Sequence, residues 1–548
     1  MKIPFLGGAY EGRSSNVSPE TCMNLFYEKG KNGESLVGTA GSTLFSSPAV
    51  GEVRGGIAYN DLVYFVVGNT FYEINSSGTA TSRGTLNSSS GRVSLAHNGV
   101  RTSGNQQIMI VDGTDGYVYD NSTSTLSQIT DDDFVSGVTL AFVDGYFIFN
   151  ENSGSGRFWL TNLYDGTNIT DTDFSTAEGW PDKIQSIIAD NRELFLFGEE
   201  SLEVWYNSGD LDNTFQRYQG GFKQHGCMAP FSPARFDNGI IWLSRNDRGA
   251  NQVVALSEGY QPSVVSTPEV NYQISTYANT QDAFGYSYQH EGHEFYVLTF
   301  PTPNKTWVFD ASTREWHQRS HVISSIDSRE RYNCHVYAMG RHLFGDYLNG
   351  NIYELDGSIG TFNSERVHRQ RTTIPVTDEE NRTRLMRMQL DMEEGIGSAD
   401  TPVSTTLGGA EAVGQTTLTV TSSTGMLAGQ RLEVDDDNGG THSTTISSVT
   451  DGTTIVAADA LTVASASGNA VRAYTDNKDD EFWLSYSKNG GHTFTNSIMM
   501  NAGEGGDWAR RVIWYWLGQA RNWIFKIDTW TPKRPVLKGL IAKMYGEK

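Results

Sequence analysis

Residues Tyr286 to Arg319 read Y-S-Y-Q-H-E-G-H-E-F-Y-V-L-T-F-P-T-P-N-K-T-W-V-F-D-A-S-T-R-E-W-H-Q-R, and this stretch predicts four short strands. Aromatic and β-branched residues favour strand, whereas clusters of Gly, Pro, Asn and Asp supply the turns. In order, the pattern predicts an arm ending near Gln289, a turn at His290–Gly292, strands at Glu294–Phe300 and Thr306–Phe309, a turn at Asp310–Arg314 and an arm carrying Trp316. One such sheet cannot bury both of its faces, so it needs copies of itself.

The strand–turn–strand unit recurs from about Gly51 onwards. Its seven copies have central turns, roughly 40 to 54 residues apart, near Asp61, Asn105, Gly145, Asn191, Asn238, Gly292 and Gly340. A period of about 40–50 residues with four strands per unit is typical of propeller blades, whereas leucine-rich repeats have about 20–29. Since no segment keeps a 3.6-residue apolar period for three turns, helical repeats are excluded. We predict a seven-bladed β-propeller over residues 51–360, preceded by an N-terminal arm (1–50) that begins its closure; an open β-sandwich array is the alternative.

The character of the sequence changes after Asp356. Residues 398–473 hold no aromatic residue, and within them T-L-T-V-T and R-L-E-V-D alternate as half-buried strands do. We predict that 398–474 is a small inserted β-domain, with a disordered linker as the alternative. The flanking segments, 361–397 and 475–548, are predicted to form a C-terminal β-sandwich, with a strand at Met388–Met392 and a hairpin at Phe482–Phe494. The predicted fold class is therefore all-β.

Composition and charge limit the possible functions. The chain has 548 residues, 58 Gly against 14 Pro, and a formal net charge of -23. An acidic surface repels the phosphate backbone, which disfavours tight wrapping of DNA but allows DNA to slide past. No apolar run approaches the roughly 20 residues of a membrane helix, and the N-terminus lacks a signal-peptide core, so we expect neither membrane insertion nor export. Cys22, Cys227 and Cys334 show no metal or redox spacing and are expected to be buried free thiols in a reduced compartment.

Motifs that would indicate catalysis are weak. S-K-N-G-G-H-T-F at Ser487–Phe494 is similar to the Asp-box turn of propeller glycosidases, but that turn is structural and predicts only a hairpin. A glycosidase also needs two convergent carboxylates. The acidic groups at Asp131–Asp133, Glu199–Glu200 and Asp435–Asp437 lie in turn-like contexts that favour solvated loops.

Metal and nucleotide sites are equally poorly supported. The spacing of Asp435–Asp437 and Asn438 lacks the ligand order of a calcium-binding EF-hand. His290 and His293 flank a predicted turn, where surface placement is expected, and no nucleotide-binding P-loop is present. We predict no enzymatic activity and no cofactor or metal.

Basic residues form two clusters in this acidic chain. The first comprises Arg366, Arg369, Arg371, Arg382, Arg384 and Arg387, and the second comprises Arg510, Arg511, Arg521, Lys526, Lys533, Arg534, Lys538 and Lys543. Three interpretations stay open: solvated strand faces, docking to carboxylates of a neighbouring subunit or adaptor ring, and contact with DNA, which the net charge opposes. The candidate interface residues are Arg366, Arg369, Arg371, Arg382, Arg384, Arg387, Arg510, Arg511 and Arg521. The aromatics among them, Trp508, Trp514, Trp516, Trp523 and Trp530, are expected to be mostly core, with one or two suited to an interface.

Several longer motifs occur in a recognisable order. They are C-M-N-L-F-Y-E at Cys22–Glu28, D-G-Y-F at Asp144–Phe147, A-E-x-x-P-D at Ala177–Asp182, E-V-W-Y-N-S-G at Glu203–Gly209, the blade at Gly292–Arg319, and R-V-x-W-x-x-L-G-x-A-R-x-x-x-F-x-I at Arg511–Ile527. By these motifs the chain resembles the packaged-DNA stabilisation proteins, or tail accessory factors, of short-tailed bacteriophages. The resemblance runs from about Pro4 to Lys543 except for Ser398–Ala473.

The resemblance implies a structural virion protein of the phage tail, assembled in the host cytoplasm. Family members form a ring of six copies below the portal and its adaptor ring, extend the DNA channel, help retain the packaged genome and seat the distal needle or plug. The implied partners are the chain itself, portal-adaptor ring proteins, the needle or plug, tail fibres or spikes, and genomic DNA that passes without specific binding. The resemblance supplies no catalytic residues.

Two other functions remain as alternatives. A propeller glycosidase acting on host-surface polysaccharide would need pocket carboxylates within roughly 5–10 Å of each other. A receptor-binding tail protein would bind host cells when purified. DNA leakage from filled heads, rather than failed adsorption, is the outcome that would favour the structural function over both.

Overall fold

The computed structural model describes residues 1–101, 104–177, 179–210, 213–257, 260–378, 381–394, 402–474, 481–503 and 508–547. Strands dominate these residues. Their single helix, α1 (Pro268–Ser275), begins with Thr267 as its N-cap and Pro268 in its first turn. Within the described ranges, no helix has the length and apolar character needed to cross a membrane.

Seven short strands precede the propeller repeats. They are β1 (Lys2–Ile3), β2 (Tyr10–Glu11), β3 (Pro19–Glu20), β4 (Cys22–Met23), β5 (Leu25–Gly30), β6 (Gly33–Gly38) and β7 (Gly41–Ser46).

Seven consecutive antiparallel sheets follow, and we call them blades one to seven. Blade one comprises β8 (Val53–Tyr59), β9 (Leu62–Val67), β10 (Thr70–Ile74) and β11 (Ala80–Thr85). Blade two comprises β12 (Ser94–His97), β13 (Gln107–Val111), β14 (Gly116–Asp120) and β15 (Thr125–Gln128). Blade three comprises β16 (Gly137–Val143), β17 (Tyr146–Glu151), β18 (Arg157–Asn162) and β19 (Asp165–Thr176). Blade four comprises β20 (Ile184–Asp190), β21 (Glu193–Gly198), β22 (Leu202–Asn207) and β23 (Phe215–Lys223).

The last three blades depart slightly from this regularity. Blade five divides its inner strand into β24 (Gly226–Cys227) and β25 (Ala234–Phe236), followed by β26 (Gly239–Asn246), β27 (Gly249–Ser257) and β28 (Gln261–Val264). Blade six comprises β29 (Phe284–His290), β30 (His293–Phe300), β31 (Lys305–Asp310) and β32 (Trp316–Ile323), with β33 (Ile326–Arg329) paired to β32. Blade seven takes β34 (Tyr332–Ala338), β35 (Arg341–Asp346) and β36 (Ile352–Asp356), and its fourth strand is β7 from the N-terminal arm.

The seven predicted central turns are confirmed by the backbone. Asp61, Asn105, Gly145, Asn191, Asn238, Gly292 and Gly340 all have positive φ, between 47° and 98°. Six of these residues lie in two-residue hairpin loops, where left-handed φ suits the right-handed twist of the flanking strands. Asn105 lies in the longer connection between β12 and β13. In blade six the turn is Glu291–Gly292, and β29 to β32 lie where the sequence predicts them.

Apolar contacts between successive blades close the propeller. Each pair of neighbours shares a buried cluster, and the cluster that joins the last blade to the first contains Val53 and Phe65 from blade one with Val336 and Leu343 from blade seven. Beside it, Asn333 Nδ2 donates to the Val53 carbonyl at 2.8 Å. Closure leaves no open sheet face inside the ring, which confirms the predicted seven-bladed propeller.

The N-terminal arm joins both ends of the fold. β7 pairs antiparallel with β36, so that residues from before blade one complete blade seven. A side chain at Gly41 would collide with the Thr361 backbone, which explains glycine at the start of β7. The hairpin β5–β6 instead extends a sheet of the C-terminal sandwich.

Further strands follow blade seven. They are β37 (Thr361–Phe362), β38 (Glu365–Arg366), β39 (Arg369–Thr372), β40 (Val376–Thr377), β41 (Arg382–Met392), β42 (Val403–Thr406), β43 (Thr417–Thr419), β44 (Arg431–Asp435), β45 (Thr441–Asp451), β46 (Thr454–Ala457), β47 (Ala470–Tyr474), β48 (Glu481–Ser487), β49 (Ile498–Asn501), β50 (Val512–Ala520), β51 (Asn522–Thr529) and β52 (Val536–Glu547).

The sandwich has two layers. One sheet has the order β5-β6-β52-β41-β50, with β1 also on β52. The other runs β4-β39-β51-β48-β49 and continues blade six, because Met23 of β4 pairs in parallel with Gln318 of β32. Met388, Trp514 and Trp523 from the sandwich share one buried cluster with Trp307 and Trp316 of blade six. The propeller and sandwich therefore have a continuous core, and the predicted domain boundaries stay predictions.

One histidine prediction is wrong. His293, expected at the surface, is buried, and its Nδ1 lies 2.7 Å from Asp310 Oδ2. The hydrogen bond to Asp310 raises the pKa of His293 against the opposing effect of burial. The sequence contained one signal of this contact. Asp310 ends the next strand, β31, and lies opposite Phe295, two residues after His293.

The inserted segment has a core of its own. β42 to β47 form a six-stranded sheet, and its buried residues, among them Leu418, Leu432, Ile446 and Val471, form a cluster that includes no described residue from outside the segment. Residues 398–401 of the predicted insertion lie outside the described residues.

Because that core is separate, replacing residues 402–474 with a ten-residue Gly/Ser linker is expected to leave the rest of the fold intact. Ten residues reach up to about 33 Å, more than the roughly 10 Å between the two sandwich sheets. Calorimetry should show the main unfolding transition of the deletion variant within a few degrees of the full chain. Loss of that transition would show that the segment supports the sandwich.

Candidate docking face

Arg369 is one of two predicted interface arginines that the structure buries. It lies on β39, between β4 and β51, and is fully buried. Its Nη1 donates to the Thr531 carbonyl at 2.9 Å and its Nη2 to the Gly360 carbonyl at 2.7 Å. The prediction that Arg369 belongs to an external interface is wrong, because its donors already satisfy acceptors of its own chain.

Arg371, two residues further along β39, is buried in the same way. Its Nε donates to the Phe5 carbonyl at 2.6 Å, its Nη1 to the Gly8 carbonyl at 2.5 Å, and its Nη2 to Glu20 Oε1 at 3.0 Å. Burial raises the pKa of Glu20, and the Arg371 guanidinium opposes that rise. Arg371 therefore holds the N-terminal arm on the sandwich, and its predicted role in docking is also wrong.

A third arginine fixes the sandwich to blade six. Arg534 donates from Nη1 and Nη2 to the two carboxylate oxygens of Glu291, both at 2.7 Å. This forked pair lowers the pKa of Glu291. The basic clusters thus divide into internal clamps and a set that faces outwards.

The outward set is assembled by the register of three strands. Arg387 of β41 lies opposite Tyr515 of β50 and Lys543 of β52, and Arg384 lies opposite Tyr545. Directly opposed residues share a face of an antiparallel sheet. A bulge between Leu385 and Arg387 shifts the alternation by one residue, so that both arginines point away from the core. We call Arg384, Arg387, Tyr515, Lys543 and Tyr545 the basic sheet face.

Exposed aromatic residues accompany these cations. Tyr515 is 54% exposed and Tyr545 51%, and at the edge strand β50 Trp516 is 72% exposed. Trp516 has φ 60° in the bulge, a conformation that is uncommon for a bulky side chain. Tyr, Trp and Arg are the residues most enriched at the energetic centres of protein interfaces.

The expectation that most tryptophans of this region are core is wrong. Trp514 and Trp523 are buried, but Trp508 is 66% exposed and Trp530 lies at the surface, stacked on His368. Trp514 and Trp516 are two residues apart, so strict alternation would place them on one face, and the bulge in β50 separates them. Trp508 and Trp530 lie outside β50 and β51.

The remaining predicted arginines lie at the surface. Arg382 begins β41, Arg510 and Arg511 precede β50, and Arg521 follows it, so these four lie at the ends of strands that form the basic sheet face. Arg366 is exposed on β38, in the sheet of blade seven, and the structure does not bring it together with the others.

A groove of about 540 Å³ borders the basic sheet face and shares Arg387, Lys543 and Tyr545 with it. Met1, Thr377, Asp378, Arg387, Ile541, Lys543 and Tyr545 are among its lining residues. Guanidinium and ammonium donors beside an aromatic ring suit the binding of carboxylates from another protein.

The carboxyl groups with a raised pKa in the described part of the chain are bound by arginines of the same chain. Among the described residues, Glu20 and Glu330 are the carboxyl groups whose pKa is raised, in each case by burial. Glu330 Oε1 lies 3.3 Å from Arg319 Nη1 in a buried pair, so the arginine balances its charge within the protein. The described ranges also contain no group of three or more His, Cys, Asp or Glu side chains placed to hold a metal ion.

The predicted acidic turns are confirmed as turns. Asp131 Oδ1 accepts from the Asp133 amide at 3.0 Å, and Asp436 Oδ1 accepts from the Asn438 and Gly440 amides. At the Asp-box-like sequence, Ser487 Oγ accepts from the Gly491 amide at 2.9 Å, closing the turn after β48. These side-chain oxygens accept hydrogen bonds from backbone amides of their own turns.

Comparison with protein families agrees with this architecture. A model described as bacteriophage P22 Gp10, beta-propeller, matches residues 1–360, about two thirds of the chain. The chain belongs to the bacteriophage P22 Gp10 family. A second model, bacteriophage P22 Gp10, beta-sandwich, matches residues 442–545 and so begins inside the predicted insertion, at β45. Membership confirms the resemblance to packaged-DNA stabilisation proteins and makes the chain a structural tail protein and virion component that interacts with other virion components.

Outside the Gp10 family the similarities are to the fold alone. No curated protein matches the chain. The N-terminal domain of Nup159 has a TM-score of 0.37 at 9% identity, covering 61% of this chain and 98% of that one. The Pan2 WD40 domain of Neurospora crassa has a TM-score of 0.37 at 8% identity, covering 58% and 96%. PorZ of Porphyromonas gingivalis has a TM-score of 0.34 at 11% identity, covering 76% and 52%. Similarities at this level do not bear on function.

Proposed function

We propose that this chain forms a ring of six copies below the portal and its adaptor ring in the tail of a short-tailed phage. The ring extends the DNA channel, helps retain packaged DNA, and seats the distal needle or plug together with fibres or spikes. It assembles in the host cytoplasm. The basic sheet face is the observation that carries the proposal, because it is a concentration of cations and aromatics on a strongly acidic tail protein.

Charge is distributed unevenly along the chain. Residues 101–300 hold 27 Asp and Glu against 9 Lys and Arg, whereas residues 508–548 hold 9 Lys and Arg against 2 Asp and Glu. Closed rings use a heterologous interface, in which two different patches of the same chain meet. A chain with separate acidic and basic surfaces suits such an interface.

The basic sheet face is large enough to form only part of a stable interface. Three strands about 4.8 Å apart, each rising about 3.3 Å per residue, give a patch of a few hundred Å². Stable interfaces bury about 800 Å² per partner. The exposed Trp508, Trp516, Arg510, Arg511 and Arg521 extend the patch towards that size.

The acidic character of the molecule also suits a DNA channel. A net charge of -23 gives phosphates few attractive sites, so DNA passes without being held along its length. Retention then depends on the fit of the ring against its neighbours and the plug.

Phage particles produced without this protein provide the test. We expect heads that fill and then release DNA, measured as nuclease-sensitive genome, and we expect purified protein added to adaptor-bearing filled heads to restore retention and infectivity. Particles that keep their DNA but fail to adsorb would instead indicate a receptor-binding protein. Release of reducing sugar from host polysaccharide by the purified chain would indicate a glycosidase.

A further inference from the structure

Blade three carries a surface whose charge is complementary to that of the basic sheet face. Its outermost strand, β19, ends the sheet and has no strand paired on its outer side among the described residues. Asp171 on this strand is exposed and Asp173 is half-buried. The loop with Asp132 and Asp133, both exposed, lies beside it, because Asp131 Oδ2 accepts from the Ile169 amide at 3.2 Å. We call Asp132, Asp133, Asp171 and Asp173 the acidic blade edge.

In the described part of the chain, these carboxylates have no cationic partner. Among the described residues, none of the four lies within 4.0 Å of a Lys, Arg or His nitrogen. The segments 129–135 and 165–176 also contain no Lys or Arg. Like charges gathered on one strand repel one another, so the edge gains most from a cationic surface brought from outside.

We infer that the basic sheet face of one copy docks on the acidic blade edge of the adjacent copy. The inference rests on the proposed ring and names the surfaces that close it. The basic sheet face lies on strands, and the acidic blade edge lies on a strand and its neighbouring loop. One surface presents forked guanidinium donors where the other presents carboxylates. The occupant is a second copy because one chain carries both complementary surfaces, which is what a heterologous contact requires.

The contact is made through side chains and not through added strands. Charged residues on an exposed edge strand oppose pairing with another strand. On the other side, the bulge at Trp516 distorts β50, the edge of the basic sheet. Both edges are thereby protected from uncontrolled β-pairing. The Arg–carboxylate pairs and the exposed aromatics then determine how the two copies align.

Reversing the charges tests the inference. Arg384→Glu/Arg387→Glu is expected to reduce the fraction of rings, measured by native mass spectrometry and by electron microscopy on adaptor-bearing filled heads, at least ten-fold. Asp171→Lys/Asp173→Lys should give the same loss. Combining the four substitutions should restore at least half of the wild-type ring fraction, since the opposed charges are exchanged.

A matched control separates local pairing from net charge. Arg248→Glu/Arg314→Glu changes the formal charge by the same amount at exposed arginines of blades five and six, and it should leave assembly unchanged. Thermal unfolding of every variant should stay close to that of the wild type, because each altered side chain is exposed or half-buried and none belongs to the core.

The outcomes distinguish the inference from the proposed function. If Arg384→Glu/Arg387→Glu forms rings at the wild-type level, the inference is wrong but the proposed ring is unaffected. Loss without rescue in the four-fold variant would also overturn it, since the face would then bind another virion protein. Absence of wild-type rings, both in solution and on filled heads, would overturn both.

Discussion

Arg371→Ala is expected to destabilise the fold by about 3–5 kcal/mol, the usual cost of removing one partner of a buried charge network. The substitution leaves the Phe5 and Gly8 carbonyls and the Glu20 carboxylate without their donor. Buried acceptors that lose a hydrogen bond cost about 1–3 kcal/mol each, more when charged. The N-terminal arm should detach from the sandwich, and urea unfolding measured by circular dichroism should show an earlier transition.

Arg384→Ala is the matched control, because Arg384 lies on the next long strand but is exposed. Its expected effect is within about 0.5 kcal/mol, as for other surface substitutions. Arg371→Lys should fall between the two, since an ammonium keeps the charge but cannot reach three separated acceptors as the guanidinium does. Equal stability of Arg371→Ala and Arg384→Ala would show that the clamp contributes nothing.

The contrast between these two arginines shows where sequence reasoning ends. Both belong to charge-rich segments whose composition predicts exposure. β39 is nevertheless a central strand between β4 and β51, and the acceptors of Arg371 lie more than 350 residues away in the chain. Nothing local in R-Q-R-T reports that pairing, so burial could be known only from the long-range topology.

The propeller was predictable for the opposite reason. Its hairpins are local, and residues such as Asn191 and Gly292 tolerate the left-handed φ that their turns require. The basic sheet face lies between these cases. Arg384 and Arg387 could be selected as candidates from charge, but their placement beside Tyr515 and Lys543 depends on a bulge and on strand partners more than 100 residues away.

His368 joins the propeller to the sandwich through two carboxylates. Its Nδ1 lies 3.1 Å from Asp327, which is on β33, and its Nε2 lies 3.0 Å from Asp528 on β51. Burial lowers the pKa of the imidazole, but the hydrogen bonds to Asp327 and Asp528 outweigh it and raise the pKa to about 9. His368 is therefore an imidazolium that donates to both domains at neutral pH.

The second large effect is the loss of this bridge. A rise from about 6.5 to about 9 corresponds to about 3 kcal/mol of stability. Because the folded pKa is the higher one, this contribution is fully present below about pH 6.5, decreases as the pH rises, and is lost above about pH 9. His368→Gln should therefore cost about 3 kcal/mol at pH 6 and much less at pH 9.5, measured as urea-unfolding free energies across that range.

The pH dependence is what separates a charged bridge from simple packing. His368 also stacks on Trp530 at 4.5 Å between ring centroids, and loss of that contact would cost the same at every pH. A difference between His368→Gln and wild type that stayed constant from pH 6 to pH 9.5 would contradict the imidazolium bridge. His492→Gln is the control, because this exposed histidine follows the turn after β48 and its removal should change stability by less than about 0.5 kcal/mol. A pH-dependent loss confined to His368 would show that an ion pair, and not ring packing alone, holds the sixth blade to the sandwich.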